Sequence, residues 1–177
     1  MWKQLVVGVS FVVTAACSQG NPKEVEVKLR NAAGDEVGMA TMSEQPGGVK
    51  IQVKAKGFDP GPHGFHVHGV GECKAPNFAS AGNHFNPDEK EHGLLNARGA
   101  ENGDLPNLMA NEQGEIKAEV MAPNISFKEG KKTMYRKSGT ALIITENADD
   151  GMTQPTGNSG KRLACGVITK KVKGYKE

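Results

Sequence analysis

Short runs with a period of two, cut by turn residues, limit the folds open to this chain more than any other feature. VKIQVKAKG, residues 49–57, is the clearest: apolar and polar side chains alternate, as a strand with one buried face requires. VEVKLRN alternates valine and leucine with charge before the turn AAGDE, and MATMSE runs into a second turn, EQPGG. FHVH, EIKAEVMA, TALIITE and LACGVITKK read as further strands. No segment sustains a helical apolar period. With 23 glycines, 9 prolines and 5% aromatic residues, the chain is predicted all-β, an antiparallel sandwich or barrel of Greek-key type with long connections. Its 177 residues suit one domain plus a short appendage.

The first residues follow secretory logic. Lys3 precedes an apolar run from Leu5 to Val13, shorter than a bilayer span, and small Ala15-Ala16 stand before Cys17. Plain cleavage would leave Cys17 incidental. Thr-Ala-Ala-Cys followed by SQGNPKE instead resembles the lipobox of bacterial lipoproteins, although Thr14 stands where Leu is usual. The expected division is a leader over 1–16, a tether over 17–24 and a domain over 25–177. A lipidated Cys17 would place that domain outside the cytoplasm, anchored to a bacterial cell membrane.

Two cysteines remain, Cys73 and Cys165. Neither belongs to a CxxC, and in an oxidising compartment such a distant pair is expected to form a disulfide. Closing so long a loop stabilises a fold by roughly 4–5 kcal/mol in the chain-entropy model. Net charge is only +2, and no basic block is interleaved with aromatics, so a nucleic-acid partner has no support; KKVKGYKE reads as a solvated tail.

Five histidines hold the chemistry. On an extended strand His66 and His68 project from one face with Val67 opposite, so two imidazoles can meet one ion. His63 falls on the other face and is expected to make structural hydrogen bonds. His84, His92 and Asp104 lie between Gly69 and about Ala110, a stretch with little strand pattern; a connection this long is either functional or disordered. Imidazole with carboxylate suits Zn²⁺ or Cu²⁺.

GPHGFHVHGVGEC, SAGNHFNP, EHG, GDLPN, ENADD and TGNSGKRLACGVI occur in the order seen in Cu/Zn superoxide dismutases. From about Val25 to Thr169 the chain resembles that family, especially its secreted bacterial forms. The resemblance implies an eight-stranded Greek-key β-barrel with a disulfide from the metal loop to the last strand, copper and zinc as cofactors, and superoxide as substrate. It implies copper ligation by His66, His68 and His84, with His84 bridging to zinc. His92 and Asp104 would be zinc ligands, Asp149 a carboxylate joining the two sites, and Arg162 an anion-guiding charge. His84 and Arg162 would be the catalytic residues, in a monomer or homodimer.

Two positions depart from the family. Its fourth copper histidine falls at Thr145, and its third zinc histidine at Glu101. A carboxylate can replace imidazole on zinc, so Glu101 is a possible ligand; a threonine hydroxyl is a poor copper ligand. Reduced dismutase activity is expected, the alternative being a catalytically silent copper- or zinc-binding protein.

Overall fold

The computed structural model describes residues 24–170; the leader, Cys17 and the last seven residues lie outside the described residues. Eight strands form in chain order: β1 (Glu24–Arg30), β2 (Glu36–Gln45), β3 (Gly48–Lys56), β4 (Gly61–His68), β5 (Asp104–Ala110), β6 (Glu115–Ala122), β7 (Thr140–Thr145) and β8 (Arg162–Ile168). They close an antiparallel barrel in the order β1-β2-β3-β6-β5-β4-β7-β8, which leaves no free edge. The fold is the predicted eight-stranded barrel.

Alternation decides which side of each strand is buried. Along β1 exposed and buried residues alternate strictly, Val25, Val27 and Leu29 pointing inward while Glu24, Glu26, Lys28 and Arg30 face out. In β3, Val49, Ile51, Val53 and Ala55 do the same. These side chains join Phe65, Val67, Leu105, Leu142 and Ile144 in one core. Each fully buried aliphatic or aromatic group contributes about 1.5–3 kcal/mol.

The pattern breaks in β4 and β7, where nearly every residue is buried. Their outward faces are covered by the long connection after β4. Phe78 and Ala81 pack on Ala141, Ile143 and Cys165 as a second apolar cluster. Cys73 and Cys165 form the expected disulfide there, with Cα atoms 5.7 Å apart and a sequence separation of 92. The connection is therefore ordered, and its last part is strand: β5 lies inside the stretch read as loop. Its burial alternates imperfectly, because Pro106 and Asn107 are both exposed.

Candidate metal centre

Backbone hydrogen bonds lay the connection beside β4. Phe85 N–H donates to Val67 O at 2.8 Å, Val67 N–H to Gly103 O at 2.9 Å, and Gly103 N–H to Phe85 O at 2.7 Å. His68 and His84 face each other across an isolated bridge. The strand end and the loop thereby bring His66, His68 and His84 within 4.8 Å of one another, counted between ligand atoms, and all three are buried. The His66 and His84 rings stack with centroids 4.1 Å apart, and His68 meets His84 edge-on at 4.9 Å.

His84 belongs to a second group. With His92, Glu101 and Asp104 it forms another set of donors within 4.8 Å. His84 Nδ1 lies 2.8 Å from Glu101 Oε2 and 3.1 Å from Asp104 Oδ1; His92 Nδ1 lies 2.9 Å from Asp104 Oδ1 and 3.4 Å from Glu101 Oε2. A zinc ion with ligand bonds of about 2.0–2.1 Å needs tetrahedron edges of about 3.3–3.4 Å. The four donors already sit near that spacing. Glu101 thus joins His84, His92 and Asp104 in one donor group. Its Oε1 accepts from Asn86 Nδ2 at 3.0 Å, which fixes the arm.

Asp149 joins the two groups. One carboxylate oxygen accepts from His66 Nε2 at 2.6 Å, the other from His92 Nε2 at 3.2 Å and from Gly151 N–H at 2.7 Å. Both imidazoles are thereby held with the proton on Nε2, the tautomer that frees Nδ1 for a cation. His66 Nδ1 is buried with no hydrogen-bond partner. His92 Nδ1, as a bare lone pair, would face the oxygens of Asp104 and Glu101. Only a shared cation or a proton satisfies such a set of acceptors. The residues present fit metal at both groups.

Charge follows geometry. Burial lowers the pKa of His66 against the opposing pull of Asp149, and burial together with the neighbouring His84 pushes His68 down to about 2. Burial would also lower His92, but its hydrogen bonds to Asp104, Asp149 and Glu101 outweigh that and raise it to about 11. His84 is raised by Asp104 and Glu101 over the same opposing burial. Asp104 and Asp149 are held well below the usual carboxylate range by those hydrogen bonds, although burial opposes it. His66 and His68 are thus held neutral, while the carboxylates raise the two histidines beside them, His84 and His92.

Arg162 lies beside the three-imidazole group. Its Nη1 donates to Phe78 O at 2.7 Å and its Nη2 to Gly82 O at 2.9 Å, and the same Gly82 carbonyl accepts from His68 Nδ1 at 2.9 Å. One peptide oxygen therefore orients both a candidate ligand and the cation. Thr145 is buried, and its hydroxyl donates to Asn147 O at 3.2 Å. A Cβ built on Gly64 would strike that hydroxyl and come 3.1 Å from His66 Cε1, so Thr145 stands next to the imidazoles but bonds to backbone. His63, as expected, bonds backbone: Nδ1 meets Thr145 O at 2.7 Å and Nε2 meets Asp59 O at 2.8 Å.

Several supports were not legible as such. Gln154 grips the backbone of His92 from both sides, accepting from its N–H at 3.0 Å and donating to its carbonyl at 2.8 Å. Asn107 does the same for Asp149, at 2.9 Å each way. Gly157, at φ +62°, lies so close that any side chain would strike Asp149 Oδ1. Asn107 lies in GDLPN and Gly157 in TGNSG, but the residues that Asn107 and Gln154 hold, 42 and 62 positions away, do not show in the sequence.

Residues 36–168 match the family model for copper/zinc superoxide dismutase (SODC). The chain is similar to "Superoxide dismutase [Cu-Zn] 2" of Aquifex aeolicus, 41% identical over 93% of this chain and 96% of that protein. It is also similar to the "Superoxide dismutase-like protein YojM" of Bacillus subtilis, 42% identical over 80% of this chain and 74% of that protein. Among solved structures, a SOD-like protein from Bacillus subtilis superposes with TM-score 0.79 at 40% identity, covering 81% of this chain and 97% of that one. Cu/Zn superoxide dismutase from Brucella abortus gives 0.69 at 33% identity, covering 82% and 99%.

Proposed function

The chain belongs to the copper/zinc superoxide dismutase family, and we propose that it dismutates superoxide at a lower rate than a complete four-histidine site would allow. Membership implies copper and zinc, and the two donor groups could hold them. In this reading His66, His68 and His84 hold copper, while His84, His92, Glu101 and Asp104 hold zinc. Copper bound there would supply the one-electron couple by which two superoxide anions and two protons become O₂ and H₂O₂.

The chain's own residues do the rest. Arg162, pinned by two carbonyls, offers a fixed positive charge beside His68 that attracts and orients O₂⁻. His84, with Nδ1 toward the carboxylates, keeps Nε2 as the ligand atom it would offer a metal beside those of His66 and His68, and it is the imidazole able to hold a proton there. Asp149 keeps His66 Nδ1 deprotonated and aimed.

The observation that carries the reduced rate is Thr145. Its hydroxyl is committed to Asn147 O, so three imidazoles stand where Cu(II) prefers a tetragonal set. The same observation favours a second reading, a metal-binding barrel without turnover. The test is superoxide consumption by copper- and zinc-reconstituted wild type beside Thr145→His. Turnover should rise at least tenfold in the variant, a direct ligand counting for no less than the outer partners whose loss costs 10–100-fold. A wild type near the diffusional ceiling, about 10⁸–10⁹ M⁻¹s⁻¹, defeats the reading. No turnover in a wild type that retains copper leaves the binding protein.

The extracytoplasmic location belongs to the same proposal. The leader and the TAAC sequence before SQGN support a lipid on Cys17 and an anchor in a bacterial cell membrane. The disulfide is compatible with an oxidising compartment.

A further inference from the structure

The register of the barrel brings distant parts of the chain to one end. β1 starts there, because Glu24 pairs with Ser43 near the β2–β3 turn and Arg30, at its other end, pairs antiparallel with Cys165. β6 ends there, Ala122 pairing with Val49, and β8 ends there, Ile168 pairing with Thr140. The connection between β6 and β7 also lies there, and it carries Lys128, Lys131, Lys132, Arg136 and Lys137. The described residues therefore begin and end beside a lysine-rich loop. The sequence continues past Lys170 with Lys171, Lys173 and Lys176.

We propose that this end of the barrel docks onto the phosphate headgroups of an anionic lipid bilayer, through Arg136, Lys137 and Lys170. These three line a hollow of about 500 Å³ with Tyr135, Ser138, Gly139 and Thr169, and no carboxylate among the described residues lines it. All three cations are exposed. The other basic residues of the loop are engaged: Lys128 lies 3.8 Å from Glu44, and Lys131 and Lys132 lie 3.1 and 3.4 Å from Asp88. Glu24 and Glu129 also lie at this end, on the start of β1 and in the loop, and Glu72, next to the Gly71 whose N–H donates to Ser138 O, is paired with Lys74 at 2.8 Å. A concave cluster of guanidinium, ammonium and hydroxyl donors suits phosphate oxygens.

The loop is held in shape. Glu44 accepts from Ser126 Oγ at 2.9 Å and from Phe127 N–H at 2.8 Å, and Arg136 lies over the Phe85 ring at 4.8 Å. A bilayer is favoured over nucleic acid because the loop offers little aromatic face for bases: Tyr135 is buried, and Phe127 is half-buried against it at 5.0 Å. The choice of the chain's own membrane rests on the lipid-anchor reading, since a tether of a few residues before β1 would hold this end at the surface. The lipid would attach; the basic end would orient.

The test is co-sedimentation with phosphatidylcholine vesicles containing 30% phosphatidylglycerol, and with phosphatidylcholine alone. Every arm uses the full chain carrying Cys17→Ser, so that acylation plays no part. Binding to the anionic vesicles should fall about fivefold per cation removed, as expected for charges at a lipid surface. Arg136→Gln, Lys137→Gln and Lys170→Gln together should lose on the order of a hundredfold, and Lys137→Gln with Lys170→Gln, which leaves the Phe85 contact intact, about 25-fold. Lys54→Gln with Lys56→Gln, at the other end of β3, should change little. The proposal is overturned if the control pair loses as much as the basic end, if neutral vesicles bind equally, or if duplex DNA displaces the protein at equal phosphate. Mass analysis of Cys17 in the natural protein judges the anchor separately: a bare thiol there refutes lipidation without touching the vesicle result.

Discussion

The two donor groups share His84 yet are built in opposite ways. On one side three buried imidazoles converge with no carboxylate among them; on the other two imidazoles meet Glu101 and Asp104. The first has three imidazoles alone, and Thr145 beside them bonds to backbone. The second has four donors at near-tetrahedral spacing, two of them carboxylates. In the function proposed above, the same kind of change, loss of a histidine, is absorbed where the replacement is a charged oxygen on a long arm and is felt where it is a short hydroxyl. Retention of zinc and weak retention of copper is the expected consequence.

Asp149→Asn should have the largest effect, because it strikes both sides. The amide cannot accept from His66 and His92 together as a carboxylate does, and each metal is expected to bind about 10–100-fold more weakly, as measured by competition with a chelator. A loss confined to one metal would mean that Asp149 does not couple the groups. Glu101→Gln should separate them. It removes one anionic ligand from the zinc side only, so zinc affinity should fall about tenfold while copper affinity with zinc in excess stays within a few-fold. Unchanged zinc binding would make Glu101 a bystander.

The smallest effect is in protons. His92 is raised to about 11 in the metal-free protein and so is protonated at neutral pH, whereas His66 and His68 are lowered and stay neutral. A metal must displace the proton from His92 Nδ1, so zinc uptake at pH 7 should release about one proton or more, and affinity should rise with pH toward 11. Calorimetry in buffers of different ionisation enthalpy measures this directly. A zinc enthalpy independent of the buffer would contradict the charge assignment.

Legibility in the sequence followed burial. β1 and β3 alternate because water covers one face, and both could be read directly as strands. β5 could not: Pro106 and Asn107 break its pattern, and Asn107 is there to grip Asp149. β4 and β7 are buried on both faces; FHVH and TALIITE could be read as strands, but not what covers their outer side, which for β7 is Phe78 and Ala81 packing on Ala141 and Ile143. The histidines and Asp104 could be picked out by residue type and order. That Glu101 reaches the cluster could not, because it depends on how far a side chain extends in a folded loop. Gln154 and Asn107 were hidden for a related reason: each holds a backbone, and nothing in a neutral amide's neighbours announces that task.

The bond between Cys73 and Cys165 closes a covalent circle that takes in His84, His92, Glu101, Asp104, Thr145, Asp149 and Arg162. His66 and His68 stand just outside it. A protease that nicks any exposed turn within the circle therefore separates nothing: the severed chain stays one molecule, every donor still attached, until a reductant opens the ring.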